Sequence, residues 1–357
     1  MKNSVYLILF FILLWSCKKD DPGTDEKQED IFFIKAVDIS TYPEIKKTNP
    51  VFYNANGAEE DFLDILKNAG VNTIRVKLWV NPADGHSGFS EVKSFAATLK
   101  SKGFKIWLAP HYSDTWADPG NQETPERWKN LSFAALKDSV YAYTSKLVQQ
   151  INPDYIQIGN EINAGFLFPA GDLSSNPLQF RELLNTGIKA VRDNSESAKI
   201  SIHFAGISNA DWFYGQLNDA DYDIIGLSFY PVWHGKNLSA LRNTMNFLSA
   251  KYDKDILIAE TAYPFTLDWN DWTNNIVGLD DQLIPGYPAS EEGQLDYMNE
   301  IKTITSDLER GSGFCYWGAE LIAWKGPEST SGSPWENQAL FDFENHAVSA
   351  ISVFNDN

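Results

Sequence analysis

YIQIGNEI (Tyr155–Ile162) and ILIAETAY (Ile256–Tyr263) share a pattern that indicates how this chain is built. Each is an apolar, strand-forming run that closes on a carboxylate, Glu161 in the first and Glu260 in the second. Short apolar runs of this length are typical of strands buried in a parallel sheet. In closed α/β barrels the catalytic residues lie at the carboxyl ends of the strands. The two stretches therefore predict a pair of carboxylates at the mouth of a barrel.

The same strand pattern recurs along the chain from residue 34 onward. Eight β-branched or aromatic runs are separated by segments that mostly carry a helical pattern. Eight strands alternating with helices predict an α/β fold, a single (β/α)8 TIM barrel. The predicted strands are Ile34–Ser40, Asn72–Trp79, Lys105–Ser113, Tyr155–Ile162, Ile200–Gly206, Ile224–Pro231, Ile256–Tyr263 and Gly313–Gly318.

The segments between the strands carry helix signals. Apolar residues recur at helical spacing in three of them, and the first two end at Gly70 and Gly103, which are candidate C-caps. The third stops before Pro153, which cannot continue a helix. The predicted helices are Ala58–Ala69, Phe89–Lys102 and Leu131–Gln150.

Residues 32–357 are predicted to form one catalytic domain, because no interdomain linker or internal repeat interrupts them. The longest irregular stretch runs from Pro264 to about Ser290, directly after the seventh strand. A long structureless loop in a compact domain is usually functional, so extended loops are expected on the active face.

Composition excludes one large class of function. The formal charge is −19 and no basic stripe is present, which argues against a nucleic-acid partner. Twelve Trp, 15 Tyr and 22 Phe suit a surface that packs on the apolar faces of sugar rings, although core packing accounts for most of them.

The amino terminus predicts export. Residues 1–17 have a Lys, an apolar stretch too short to span a bilayer, and a lipoprotein-type cleavage box that ends at Cys17. Residues 18–31 are polar and acidic, which predicts a disordered tether. With Cys17 lipidated, Cys315 has no disulfide partner. The run Lys18–Asp21 resembles an export signal of Gram-negative lipoproteins. We therefore expect a monomer held at the outer-membrane surface by a lipid anchor.

The carboxylate pair indicates glycosidic bond cleavage. A retaining glycosidase uses one carboxylate as the nucleophile and a second as acid and base. A lone Glu after an apolar run is usually a helix cap or a loop ion pair. Two at matching strand ends, with Asn160 before the first, favour catalysis.

Four motifs carry a resemblance to a known family. Val37–Ser40, Arg75–Trp79, His111–Gly120 and Glu260–Pro264 together resemble glycoside hydrolase family 53, the endo-β-1,4-galactanases. His111–Gly120 is the most specific of the four, since it combines His, Ser, two Asp, Trp and a Pro-Gly turn. The resemblance extends from about residue 34 to residue 354.

The resemblance assigns roles to several residues. It implies that Glu161 is the acid/base, that Glu260 is the nucleophile and that Asn160 binds the sugar 2-hydroxyl. Tyr230 would orient Glu260, with rim packing as the alternative. Arg75 would keep Glu260 ionised at a low pKa, with a structural ion pair as the alternative. The implied sugar-binding residues are Asp38, His111, Trp116, Asp118 and Trp317, with Trp233 and His234 as weaker candidates.

The segment after the eighth strand departs from the family pattern. Trp317–Leu321 replaces the usual Trp-Glu-Pro-Ala-Trp, and Trp324 is a candidate to supply the missing aromatic ring.

The sequence predicts no cofactor for catalysis. The five histidines form no metal-ligand cluster. Some family members hold calcium in the loops after the seventh and eighth strands, and a structural calcium site near Asp268, Asn270 and Asp271, with Asn274 and Asn275, is the open alternative to a solvated acidic loop.

The expected function is a retaining endo-β-1,4-galactanase that cuts the galactan side chains of pectin. The first alternative is an endo-β-1,4-mannanase or glucanase of the same clan, because the catalytic pair is shared and only subsite shape differs. The second is a non-catalytic surface glycan-binding protein, which would keep the tryptophans without needing both glutamates.

Overall fold

Eight parallel strands close into a barrel in the computed structural model of the protein, which describes residues 32–356. Each strand pairs with the next, and β8 pairs with β1 in register from Ile34–Gly313 to Asp38–Trp317. The predicted TIM barrel is confirmed. The strands are β1 (Ile34–Asp38), β2 (Thr73–Leu78), β3 (Lys105–Pro110), β4 (Tyr155–Gln157), β5 (Lys199–Ala205), β6 (Ile224–Ser228), β7 (Asp255–Thr261) and β8 (Gly311–Trp317).

Helices surround this barrel. The α-helices are α1 (Tyr42–Ile45), α2 (Phe62–Asn68), α3 (Phe89–Ser101), α4 (Phe133–Ile151), α5 (Pro177–Asn194), α6 (Ala210–Gly215), α7 (Pro231–His234), α8 (Leu238–Tyr252) and α9 (Glu291–Ser306). None of the helices in residues 32–356 combines the length and the apolar composition that a membrane span requires.

Capping residues set the observed helix bounds. Asp61 accepts hydrogen bonds from two backbone N–H groups at the start of α2, so this helix begins four residues later than predicted. Ser132 caps α4 in the same way. The positive φ angles of Gly70 and Gly103 end the first two predicted helices, as expected.

The fourth strand is shorter than predicted. The run Tyr155–Ile162 was expected to be extended throughout, but β4 ends at Gln157. Gly159 (φ 78°) and Glu161 (φ 45°) adopt left-handed backbone conformations, which turn the chain out of the sheet. The prediction that Glu161 ends a strand is therefore wrong by four residues, although it stays at the carboxyl end of β4.

Apolar side chains fill the lower half of the barrel. They form a small cluster separate from the larger core between the barrel and its helices. The guanidinium of Arg75 lies above the ring of Trp107, 5.6 Å from its centroid, so the interior changes from apolar to charged toward the carboxyl ends of the strands. The interior cluster consists of Ile34, Ala36, Trp107, Tyr155, Ile224, Leu257, Ala259 and Cys315.

The loop after β7 runs from the end of that strand to Ser290, which caps α9. Its one regular element is a 3-10 turn at Asp280–Gln282. The predicted signal segment with Cys17 and the predicted tether, residues 18–31, lie outside the described residues.

Candidate active site

A cleft of about 710 Å³ opens at the carboxyl ends of the strands. Both Glu161 and Glu260 line it, as the strand-end argument predicted. Of the other predicted residues, Trp116, Asp118, Tyr230, Trp233, His234 and Trp317 also line the cleft.

The backbone of Glu161 is held by a side chain from the preceding loop. Gln122 is buried, and its Nε2 donates to the carbonyl oxygens of Asn160 (2.8 Å) and Glu161 (3.3 Å). A left-handed backbone costs a residue other than glycine about 1–3 kcal/mol unless its surroundings hold it. Gln122 therefore fixes the direction in which the Glu161 side chain leaves the backbone.

A chain of hydrogen bonds orients the Glu161 carboxylate. The Ser228 hydroxyl donates to Glu161 Oε1 at 2.5 Å, and Ser228 Oγ lies 2.8 Å from Nε2 of His203. Nδ1 of His203 lies 3.1 Å from both Gln157 Nε2 and Asn160 Oδ1. Burial lowers the pKa of His203 well below its usual value, so the ring is neutral. The hydroxyl of Ser228 is thus aimed at the carboxylate.

Burial and the negative charge of Glu260 raise the pKa of Glu161 to about 8. The hydrogen bond from Ser228 acts in the opposite direction but does not offset burial. Glu161 is therefore the protonated member of the pair at neutral pH, as a proton donor must be.

Glu260 lies in a different environment. One oxygen forms an ion pair with Arg75 at 2.8 Å, and the Tyr230 hydroxyl donates to the other at 3.0 Å. Burial raises the pKa of Glu260, and Arg75 is the strongest influence that lowers it. The sequence expectation of a low pKa is therefore wrong, because the cost of burying this carboxylate exceeds the stabilisation that Arg75 gives.

The two carboxylates lie close together. An oxygen of Glu161, an oxygen of Glu260 and a ring nitrogen of His203 are all within 4.8 Å of one another. His203 is not free to bind a metal in this arrangement, since both of its nitrogens are engaged in the chain described above. The site thus brings together one proton donor and one carboxylate held by a cation, which is the requirement for acid-assisted displacement.

Arg75 connects the barrel floor to the catalytic pair. Its guanidinium is fully buried and contacts Asp38 Oδ2 at 2.6 Å and Asn160 Oδ1 at 2.8 Å. Asp38 also accepts hydrogen bonds from the backbone N–H and the hydroxyl of Ser40. Asp38 is 3% exposed and does not line the cleft, so the structure does not support its predicted sugar contact. It holds Arg75 instead.

His111 is also enclosed. It is 1% exposed and lies outside the cleft lining, and its Nδ1 accepts hydrogen bonds from Trp79 Nε1 (3.2 Å) and the backbone N–H of Ala117 (3.1 Å). The ring of His111 therefore lies beneath the cleft surface, and its contact with sugar stays a prediction. Asn160 has no exposed surface, and its amide donates to the carbonyl of Ala117. Its contact with the sugar 2-hydroxyl stays a prediction.

Aromatic rings extend along the cleft. The ring centroids of Trp116 and Trp317 are 5.8 Å apart, those of Trp317 and Trp335 are 4.6 Å apart, and those of Trp335 and Trp233 are 5.8 Å apart. Trp324 lines the same cleft, as expected for the missing aromatic ring. The sequence reasoning missed Trp335. The only available signal was a Trp after Ser-Pro in the loop that follows β8.

His234 serves the loop after β6. Its Nδ1 accepts the backbone N–H of Tyr230 at 3.0 Å, and burial lowers its pKa to about 4. A neutral His234 therefore fixes the turn that directs the Tyr230 hydroxyl toward Glu260. Trp233, on the same turn, is 55% exposed toward the cleft.

The candidate calcium loop is held by a residue that the sequence reasoning missed. One oxygen of Glu336 accepts the backbone N–H groups of Asn270 and Asp271, and Glu336 is buried. The second oxygen of Glu336, one oxygen of Asp271 and the amide oxygen of Asn275 are buried without a hydrogen-bond partner in the described residues. These three oxygens suit a hard cation, whereas Asp268 and Asn274 are exposed.

A closed (β/α)8 barrel that brings two buried carboxylates together at the base of an aromatic cleft defines a glycoside hydrolase. Residues 34–354 match the model of Glycosyl hydrolase family 53, and the chain belongs to that family.

Characterised relatives agree with this assignment. An arabinogalactan endo-beta-1,4-galactanase of Cellvibrio japonicus is 32% identical, with 90% of each chain covered. The solved GH53 catalytic domain of Ignisphaera aggregans is 39% identical with a TM-score of 0.85, covering 92% of this chain and 97% of that domain. A solved fungal beta-1,4-galactanase is 29% identical with a TM-score of 0.79, covering 90% and 98%.

Proposed function

We propose that the protein is a retaining endo-β-1,4-galactanase that hydrolyses the galactan side chains of pectin. The observation that carries the proposal is the pair of buried carboxylates, Glu161 and Glu260, within 4.8 Å of each other in unlike environments. The names of the family relatives support galactan as the substrate.

The reaction has two steps. Glu260 attacks the anomeric carbon while Glu161 gives its proton to the leaving glycosidic oxygen, which leaves a covalent glycosyl-enzyme and an ionised Glu161. Glu161 then takes a proton from a water molecule, the hydroxide oxygen bonds to the anomeric carbon, and Glu260 is released as a carboxylate. Both residues return to their starting protonation states.

The short separation supports retention of configuration. Retaining enzymes hold their carboxyl groups about 5–5.5 Å apart, whereas inverting enzymes need about 6.5–9.5 Å to admit a water molecule. One oxygen of Glu161 and one of Glu260 lie within 4.8 Å of each other, which favours the shorter, retaining arrangement. Arg75 and Tyr230 aim the Glu260 carboxylate and favour its ionised form, which a nucleophile requires.

Two alternatives remain for the substrate and the activity. A mannanase or glucanase of the same clan would use the same pair with another cleft shape. A glycan-binding protein would use the tryptophans alone. A buried pair of carboxylates disfavours the second alternative, because burial of two acids costs stability that binding does not require.

The substrate test is a panel of polymers. The domain that begins at about Asp30 would be incubated with potato galactan, mannan and carboxymethyl cellulose, with reducing ends and oligosaccharide sizes followed over time. Fast release of short oligosaccharides from galactan alone is expected. Activity on another polymer alone would replace the substrate and keep the mechanism, while no activity on any polymer would favour the binding protein.

The catalytic roles need separate tests. Mass spectrometry after reaction with a 2-fluoroglycoside should find the label on Glu260, and a label on another carboxylate would contradict that role.

Glu161→Gln should lose most activity on poor leaving groups and keep it on activated aryl glycosides. Equal loss on both substrates would argue against acid catalysis. Proton NMR of the first product formed should show the β-anomer.

The cellular setting is part of the same proposal. We expect a lipid on Cys17, a monomeric enzyme at the outer-membrane surface, and no cofactor in the reaction itself. Protease treatment of intact cells should remove the protein, and survival of the protein would contradict surface display.

Calcium would be held by Asp271, Asn275 and Glu336, and it would stabilise the loop after β7 rather than take part in catalysis.

A further inference from the structure

A second groove lies outside the catalytic cleft, between the loop after β3 and the loop after β4. Its volume is about 720 Å³. Within residues 32–356, none of the residues that line it also lines the cleft. The turn Asp118–Asn121 lies between the two, with its first two residues at the cleft and its last two at the groove. The groove is therefore a separate site, and the proposed reaction gives it no role.

Hydrogen bonds between the two loops fix the walls of the groove. The Thr124 hydroxyl donates to the carbonyl of Phe168 at 2.8 Å, and the backbone N–H of Phe168 donates to the carbonyl of Gln122 at 2.8 Å. All three residues line the groove. Since the walls are already joined, a ligand would not have to order them, which lowers the cost of binding.

Gln122 brings an acceptor without a partner to the groove. The residue is 2% exposed, and its Nε2 faces the carbonyl oxygens of Asp118, Asn160 and Glu161 at 2.9, 2.8 and 3.3 Å. Three carbonyls identify this end of the amide as the nitrogen. Oε1 is buried and has no hydrogen-bond partner among the described residues. A buried acceptor without a donor is costly, so a ligand that supplies a donor is favoured here.

Two more amides at the groove have the same arrangement. Asn121 Nδ2 donates to the carbonyl of Trp116 at 2.7 Å, and Asn176 Nδ2 donates to the carbonyl of Pro169 at 2.9 Å. In the part of the chain that the structure describes, neither Oδ1 accepts a hydrogen bond, and both residues are half-buried. Together with Gln122, they offer three amide oxygens to O–H or N–H donors.

The rest of the lining favours a neutral ligand with apolar faces. The rings of Trp128, Phe133 and Phe168 contribute the apolar surface. The charged residues in the lining are Glu123 and Lys129, which are exposed and opposite in sign. A hard cation would need more carboxylate oxygens and no aromatic surface. A sugar matches the groove, because its hydroxyls are donors and its ring faces are apolar.

We propose that this groove is a second carbohydrate-binding site, which holds one segment of the polysaccharide while another segment occupies the cleft. Hydroxyl groups donate to the amide oxygens of Asn121, Gln122 and Asn176, and the apolar face of one sugar ring packs on Phe168. Two points of attachment raise the effective concentration of a long polymer at the cleft. The identity of the sugar, galactose, rests on the proposed function.

The number of bound oligosaccharides tests the site. Isothermal titration of the Glu161→Gln protein with β-1,4-galactotetraose avoids hydrolysis and should find two molecules bound per chain. Addition of Gln179→Trp should reduce this to one, because Gln179 lines the groove without a side-chain hydrogen bond in residues 32–356, so a larger ring there fills the space. Gln150→Trp, at an exposed position near the end of α4, is the matched control and should keep two.

Kinetics test what the site does. Gln179→Trp in the enzyme with Glu161 intact should lower kcat/KM on polymeric galactan by about tenfold and leave kcat/KM on galactotetraose unchanged. Phe133→Ala removes part of the apolar wall and should have the same effect if Gln179→Trp fails to fold. A polymer rate equal to that of Gln150→Trp would overturn the inference.

The outcomes separate this inference from the proposed function. One molecule bound to Glu161→Gln, with the wild-type enzyme active on galactan, would overturn the second site and keep the galactanase. A wild-type enzyme that cleaves a different polymer would overturn galactan as the substrate. Titration with the tetrasaccharide of that polymer would then decide the second site, with two molecules bound supporting it and one overturning it.

Discussion

Replacing Ser228 with alanine should move the alkaline limb of the pH profile to higher pH. In the proposed mechanism that limb reports loss of the proton from Glu161, whose pKa is raised to about 8 by burial and by Glu260. The Ser228 hydroxyl donates to the carboxylate at 2.5 Å and lowers this pKa, because it stabilises the charged form more than the neutral one. Removing the donor therefore raises the pKa.

The size of the shift follows from the hydrogen bond. A bond to a charged group contributes about 1.5–3 kcal/mol and a neutral one about 1 kcal/mol, so the charged form loses roughly 1–2 kcal/mol more. At about 1.4 kcal/mol for each pKa unit, the limb should move up by about one unit. Nε2 of His203 also loses its hydrogen-bond partner, so unfolding should become easier by about 1–3 kcal/mol.

The assay is kcat/KM against pH on a substrate with a poor leaving group. Ser94→Ala, at an exposed position of α3, is the matched control and should keep the wild-type profile. An activated aryl glycoside should show a weaker alkaline limb in both proteins, because its leaving group needs little protonation. A limb that stays in place or moves to lower pH in Ser228→Ala would refute the assignment of Glu161 as the proton donor.

Three further variants probe the supports of the catalytic pair. Tyr230→Phe removes a hydrogen bond that lowers the pKa of Glu260, so the acid limb should move to higher pH and kcat should fall about tenfold, as measured by a pH profile. Arg75→Met leaves the buried carboxylates without their cation, so the free energy of unfolding measured in urea should fall by about 3–5 kcal/mol. A smaller decrease would mean that the carboxylates rearrange or take up protons. Gln122→Leu releases the backbone of Glu161 and should lower kcat/KM about tenfold on poor leaving groups, with a smaller loss on activated ones; equal losses would contradict a positioning role.

The barrel could be predicted because its signals are local. Each strand is a short apolar run, and turn or cap residues such as Gly103 and Ser132 end or begin the helices next to them in sequence. Glu161 and Glu260 could be found for the same reason, since Glu260 lies at the end of β7 and Glu161 lies shortly after β4. The left-handed backbone at Glu161 was missed because nothing in the residue itself favours it.

The supports of the site could not be predicted because they join distant parts of the chain. Ser228 and Glu161 are 67 residues apart, and Gln122 and Glu161 are 39 apart. Trp335 belongs to an irregular loop, where no periodicity assigns a side chain to a face. Motif resemblance marked His111 and Asp38 but could not show whether they touch the sugar or hold the residues that do.

One cation decides which glutamate carries the proton. Two negative charges within 4.8 Å repel by roughly 3.5 kcal/mol at an effective dielectric constant of about 20, so the buried pair favours a single ionised member. The ion pair of Arg75 with Glu260 at 2.8 Å is worth roughly 6 kcal/mol on the same scale, before desolvation. Because Asp38 holds the other guanidinium nitrogen, Arg75 cannot turn toward Glu161 without breaking a buried bond. Arg75 points from β2 into the barrel and holds its positive charge beside Glu260 of β7. The proton therefore stays on Glu161, where it can reach the leaving oxygen.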